Sequence, residues 1–115
     1  MTQNITMTET LPASAVVRVS RASFDPSRLA EVDAMNKKTS QYLIPAIKQL
    51  PGLIHFYAGM TPDGSIVNVS VWDTEEHAAQ LDHLKEMAID ARGEMETVGS
   101  TFIPPIVNYP VVWII

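Results

Sequence analysis

The chain has no cysteine, which excludes a disulfide framework, an iron–sulfur cluster and a thiolate zinc site. It has no basic run either: eight Lys plus Arg stand against thirteen Asp plus Glu, for a net charge of −5 at pH 7. Phosphate backbones would find no cationic footprint, so no nucleic-acid partner is expected. Nothing approaches the roughly 18 uninterrupted apolar residues of a membrane-spanning helix. The opening segment, MTQNITMTETLPAS, carries neither the basic nor the apolar region of a secretory signal. No membrane association is expected, and the cytoplasm is the expected compartment. In that setting the glycosylation patterns at Asn4-Ile5-Thr6 and Asn68-Val69-Ser70 read as chance. Phosphate-binding glycine loops, a nucleophile elbow and a Ser-His-Asp order are also missing, which removes kinase and hydrolase readings.

What remains is globular in composition. Hydrophobic residues make up 46% and charged residues 18% of 115, too apolar for a disordered chain and too short for two domains. Residues 1–14 are expected to form a flexible tail and residues 15–115 a single domain. A domain of this size buries only roughly two-thirds of its unfolded surface, so pairing with a second copy would add useful burial.

Hydrophobic periodicity divides the domain into elements. In AVVRVSR, Val17 and Val19 alternate with Arg18 and Ser20, as in a half-buried strand. Asp25-Pro26 supplies a helix cap and a first-turn proline. The stripe Leu29, Val32, Met35, Thr39, Leu43, Ala46, Ile47 and Leu50 then spaces apolar residues by three and four, one buried helical face. Pro45 predicts a kink or break in that helix, and Pro51-Gly52 its end. Leu53–Met60 and Ser65–Trp72 read as strands joined by the turn Thr61-Pro62-Asp63-Gly64. Asp73 with Glu76 resembles a capping box, and Ala78, Leu81, Leu84, Ala88, Ala91 and Met95 form the stripe of a second helix that yields near Gly93 or Gly99. The last segment, TFIPPIVNYPVVWII, is strand-forming, with Pro104, Pro105 and Pro110 suited to an edge. Its VVWII terminus would be a sticky apolar edge in water, so a partner subunit is expected to cover it.

The order β-α-β-β-α-β predicts an α+β, ferredoxin-like domain, an antiparallel sheet with two helices on one face and the other face in need of a cover. LIPAIKQLPGLIHFYAG, leading from helix into hairpin, and VSVWDTEEHAAQLDH, running from strand into helix, resemble the dimeric α/β-barrel superfamily. Within it the likeness is to the antibiotic-biosynthesis-monooxygenase-like domains, over roughly residues 15 to 110. That resemblance implies a homodimer in which two sheets meet as a shared barrel, with a small pocket in each subunit between sheet and helices.

Candidate chemistry centres on the hairpin. Strand parity points Asn68, Ser70 and Trp72 one way and Val67, Val69 and Val71 the other. His55 and Tyr57 share a parity on the preceding strand, but the turn geometry must decide whether they join the polar trio. Asn68, Trp72 and the later Arg92 resemble pocket residues of actinorhodin-type anthrone monooxygenases, which oxidise phenolic polyketides with O2 and without flavin, haem or metal. Those enzymes carry a tyrosine early in the second helix, where this chain has His77 and Ala78. The resemblance thus implies no cofactor and a small aromatic or quinone-type substrate. In that scheme the Asn68 amide and Trp72 indole donate to a developing enolate oxygen, His83 is the candidate base and Arg92 holds an anion. His55, Tyr57, Ser70 and His77 are further candidate substrate contacts.

Each assignment has a plainer alternative. Trp72 is either a pocket wall or a packed aromatic, Asn68 either a donor to substrate or a structural hydrogen bond, His83 either a base or a solvated side chain, and Arg92 either an anion holder or a surface ion pair. His77 and His83 lie about 120° apart around a helix, unlike the one-face pair of a zinc helix, so no metal site is expected. Haem-degrading relatives combine a strand tryptophan, a helix histidine and a first-strand asparagine. Trp72 and His83 match two of these, but VVRVSR has no asparagine, which leaves haem a minor reading. The leading expectation is a cofactor-independent monooxygenase. The alternatives are a non-catalytic dimeric ligand-binding or stress-response barrel, and an isomerase or lactone-handling enzyme that uses the same base.

Overall fold

The computed structural model describes residues 11–83 and 85–115, the side chains of 83–89 excepted. Strand β1 (Val16–Ser23) leads through a 3-10 turn at Pro26–Arg28 into helix α1 (Leu29–Lys48). The hairpin β2 (Leu53–Thr61) and β3 (Ser65–Trp72) follows, then α2 (Glu75–Ala78), a 3-10 turn at Ala79–His83, α3 (Lys85–Thr97) and β4 (Thr101–Pro110). The four strands form one antiparallel sheet in the order β2-β3-β1-β4. This is the ferredoxin-like α+β architecture.

Local chemistry explains most boundaries. Asp25 Oδ1 accepts from the Ser27 N–H at 2.9 Å, and Pro26 opens the turn that feeds α1. At the hairpin, Gly64 has φ +106, and a Cβ there would run into the Phe24 carbonyl; the Phe24 N–H in turn donates to Gly64 O at 2.9 Å. Of the kink or break expected at Pro45, the break does not occur, because α1 is continuous to Lys48. Pro45 and Gln41, whose carbonyl loses its helical partner, are both exposed, so water can replace the missing bond.

The second helical segment departs further from expectation. Its cap is Thr74 rather than Asp73: Thr74 Oγ1 accepts from the His77 N–H at 3.0 Å. The helix is also interrupted at Ala79–His83; α3 passes through Gly93 and ends at Thr97, before Gly99 (φ +91), the second of the two glycines expected to end it. The tighter turn carries Gln80 Nε2 onto the carbonyls of Pro51 (2.8 Å) and His77 (2.7 Å), and brings Asp82 to Arg18. Of the predicted tail, Pro12 and Ser14 are engaged: Pro12 O accepts from the Ala15 N–H at 3.0 Å and Ser14 Oγ donates to Asp73 O at 2.7 Å.

The helix-facing side of the sheet is apolar at both ends and polar in the middle. Val16, Arg18, Ser20 and Ala22 of β1 stand opposite Trp72, Ser70, Asn68 and Ile66 of β3. Val16 and Trp72 pack with Ala78, Leu50, Leu53 and Leu81; Ile66 packs with Phe24, Val32, Met60, Met95 and Val98. Two small cores therefore close the ends of the helix–sheet layer, and the polar middle lies between them.

The opposite face is built by the alternate residues. Register places Tyr57, Val69, Val19 and Val107 in one row straight across the sheet, and His55, Val71, Val17 and Tyr109 in the next. The valines are only half-buried, and Tyr57 and Tyr109 are 57% and 52% exposed. Beyond β4, Val112, Trp113 and Ile115 stand out at 89%, 73% and 104%.

Candidate functional site

Between the two cores lies a cavity of about 700 Å³, within the roughly 300–1,000 Å³ range of small-molecule sites. Its floor is the polar middle of the sheet, with Arg18 and Ser20 from β1 and Asn68 from β3. Its roof comes from α1 (Leu43 and Ile47) and α3 (Ala91 and Met95), and Phe56 and Phe102 stand at its sides. The position follows from the strand pattern: apolar side chains at each end draw the helices down, while Arg18, Ser20 and Asn68 cannot join a dry core without partners.

The candidate residues do not converge on one point. Asn68 and Arg92 line the cavity, Asn68 half-buried and Arg92 at the rim. The Arg92 guanidinium carbon sits 4.1 Å above the centre of the Phe102 ring, which holds the cation beside the opening. Trp72 is fully buried in the Val16–Ala78 core and is not part of the cavity wall. Its indole N–H donates to Ser70 Oγ at 2.8 Å, and Ser70 itself is 2% exposed. The donor expected to face a substrate is therefore spent inside the protein.

His55 and Tyr57 lie on the far side of the sheet. They pair with Val71 and Val69, and their rings stack at 5.7 Å, away from Asn68. A register shift between Leu53 and His55 sets this parity, which turn chemistry alone does not fix. His77 is likewise outside the cavity wall: its Nδ1 lies 2.6 Å from Asp73 Oδ1, beneath the αL residue Gly52 (φ +86). A Cβ at Gly52 would run into both side chains, so glycine is required for that pair to form. The His83 side chain lies outside the described residues. Among the described residues, no group of three or more His, Asp or Glu gathers as a metal site.

Sequence reasoning overlooked Arg18. The alternation of β1 was legible, but its valines, rather than its polar residues, face the uncovered side. Arg18 is 6% exposed; its Nη2 donates to Asp82 Oδ1 at 2.7 Å and its Nη1 reaches Asn108 Oδ1 at 3.5 Å. The usable signal was the repetition of polar pairs, Arg18-x-Ser20 and Asn68-x-Ser70, in the middle of two valine-rich strands. Above the cavity, α1 and α3 are joined where the Tyr42 hydroxyl donates to Glu94 Oε1 at 2.7 Å and Lys38 pairs with Glu94 at 3.0 Å. Burial, reinforced by the Glu94 carboxylate, pushes the Tyr42 phenol up to about 12. Hydrogen bonds from Tyr42 and Lys38 hold the Glu94 carboxyl below its ordinary value.

Comparison with known proteins defines the class of fold. No protein-family model matches the chain, and no curated protein matches it in sequence. Solved structures do match. A dimeric ferredoxin-like protein from an uncultured marine organism superposes with TM-score 0.65 and 14% identity, covering 88% of this chain and 98% of that one. SnoaB, a cofactor-independent oxygenase from Streptomyces nogalater, superposes with TM-score 0.61 and 15% identity over 89% of this chain and 97% of its own. A Streptomyces coelicolor monooxygenase in complex with Nanaomycin D gives TM-score 0.53 and 16% identity, covering 81% of this chain and 88% of that one. The chain therefore shares the ferredoxin-like fold of these proteins, along nearly the full length of each.

Proposed function

We propose that the chain is a cofactor-independent monooxygenase of the antibiotic-biosynthesis type, acting as a homodimer on a small aromatic substrate that it oxidises to a quinone. The observation that carries this reading is the cavity itself: a space between sheet and helices with apolar walls, Asn68 in its polar floor and Arg92 at its rim. The likeness in fold to a cofactor-independent oxygenase and to a monooxygenase in complex with Nanaomycin D supports the same reading.

The chemistry needs little from the protein. An anthrone-like CH2 loses a proton, and the enolate oxygen that forms accepts a hydrogen bond from the Asn68 amide. His83 is the candidate base, and Arg92 the candidate holder of the anion. The electron-rich carbon then reduces O2 and bonds to one oxygen atom. Loss of water from the resulting hydroperoxide leaves a carbonyl, so one oxygen ends in the product and the other in water. The substrate supplies all the electrons. In this scheme Trp72 acts at one remove, fixing Ser70 beside the floor of the cavity.

The uncovered valine face supports the homodimer. Its rows of Val, Tyr and His across all four strands match what a second sheet would bury, and a solved relative in fold is dimeric. A second reading, a non-catalytic ligand-binding barrel, is favoured by one feature: the Trp72 N–H and the shortest Arg18 bond are both satisfied within the protein. Oxygen uptake with an anthrone separates the two. The wild-type protein should consume O2 in proportion to substrate, and Asn68→Ala should slow it roughly 10²-fold while remaining a folded dimer. Saturable binding without uptake would establish the barrel instead.

A further inference from the structure

The floor of the cavity holds a buried cation that the oxidation does not employ. A guanidinium has five N–H donors in a rigid fork. For Arg18, the described partners are Asp82 Oδ1 at 2.7 Å and Asn108 Oδ1 at the outer limit of 3.5 Å. Buried donors left without acceptors are costly, and this fork borders an open cavity. The two halves of the Arg18–Asp82 pair are also unequal. The side chain of Arg18 is 8% exposed and that of Asp82 is 59%. Asp82 stands on the 3-10 turn Ala79–His83, whereas Arg18 is fixed in the sheet. Water can take over the carboxylate at small cost but cannot take over the cation.

The charges around the cavity point the same way. Its described lining carries the side chains of Arg18 and Arg92 against that of Asp82, within a chain whose net charge is −5; Arg21, also in the lining, has the strand parity of the opposite face. The cavity thus reverses the sign of the protein around it. Phe56, Ile66 and Phe102 complete it with flat and apolar surface.

We infer that the cavity selects a flat apolar ligand bearing a carboxylate, and that Asp82 is a displaceable stand-in for that carboxylate on Arg18. The inference rests on the cavity being the ligand site, as proposed above, and on no oxidation step. A carboxylate can present two oxygens to the guanidinium fork, whereas a phenol or ketone presents one; Asp82 engages it through Oδ1 alone, at Nη2. Asn68 lies on the diagonal from Arg18 across the β1–β3 ladder, since Arg18 pairs with Ser70 and Ser20 with Asn68. A ligand anchored on Arg18 therefore extends over the Asn68 amide.

The test is calorimetric titration of the purified protein with 2-naphthoate and 2-naphthamide, which share shape and differ in charge. The wild type should bind naphthoate at least tenfold more tightly than the amide. Arg18→Gln should abolish that preference. Asp82→Asn should tighten naphthoate binding at least threefold and leave the amide unchanged; because Asp82 is exposed, this variant stays informative even where Arg18→Gln fails to fold. No binding of naphthoate, equal affinity for both probes, or an Asp82→Asn protein that binds naphthoate no more tightly than wild type would each overturn the inference. Binding is measured without turnover, so failure of the oxygenase reading leaves this result legible, and the converse also holds.

Discussion

Replacing Val69 by lysine places a charge at the centre of the uncovered sheet face. Val69 stands between Val19 and Tyr57, with Val107 completing the row. In the isolated subunit the change is mild, because the residue is only half-buried and a lysine stem can lie along the valines with its ammonium in water. In a dimer closed by these faces the ammonium is trapped without a partner, at a cost of roughly 3 kcal/mol per buried charge. Two-fold symmetry repeats that cost, giving about 6 kcal/mol and hence about four decades in the dimer Kd. Sedimentation velocity reads the outcome. Wild type should sediment as a dimer and Val69→Lys as a folded monomer with an unchanged far-UV circular dichroism spectrum. A Val69→Lys protein that stays dimeric at wild-type affinity would refute the assignment of this face.

Three further predictions concern the frame around the cavity. Gly52→Ala should destabilise the fold by roughly 2 kcal/mol in denaturant titration, since its Cβ meets the His77–Asp73 pair at a positive φ; adding His77→Ala should restore part of the loss, and no rescue would contradict the contact. Trp72→Phe should lower stability by about 1 kcal/mol or more through the lost bond to Ser70, yet slow oxygen uptake far less than Asn68→Ala does. One of the three tyrosines should ionise near pH 12 in an ultraviolet titration, and Glu94→Gln should lower that value. Because the Tyr42 phenol is raised from 10.0, its contribution to stability is complete below pH 10 and fades as the pH climbs through about 12. The Glu94 carboxyl is lowered from 4.5, so its contribution is present above that value and fades as the pH falls. Tyr42→Phe should accordingly flatten the alkaline limb of the stability curve.

The fold was legible because its elements are periodic and well punctuated: Asp25-Pro26, the Thr61–Gly64 turn and the alternating valines each state a local structure that tertiary packing then respects. The misreadings arose where solvent or a side chain at a distance decides. Pro45 is tolerated because water reaches the carbonyl it leaves unbonded, and the break at Ala79–His83 follows contacts to Pro51 and Arg18 that lie far away in sequence. Asn68 was identifiable as an amide out of place among valines. Arg18 was not, because an arginine in an alternating strand looks solvated until the register shows which face is covered. His55 and Tyr57 were undecidable for the same reason, since a one-residue shift in the hairpin moves them to the other side of the sheet.

The central claim, that this cavity adds one atom of O2 to an aromatic substrate without a cofactor, is tested most directly with isotopic oxygen. The purified protein, treated with a chelator, is given an anthrone under 18O2, and the product is analysed by mass spectrometry. The account predicts a quinone carrying one 18O atom, formed above the spontaneous rate and strongly reduced in Asn68→Ala. Unlabelled product, or labelled product formed no faster than in buffer alone, would contradict it.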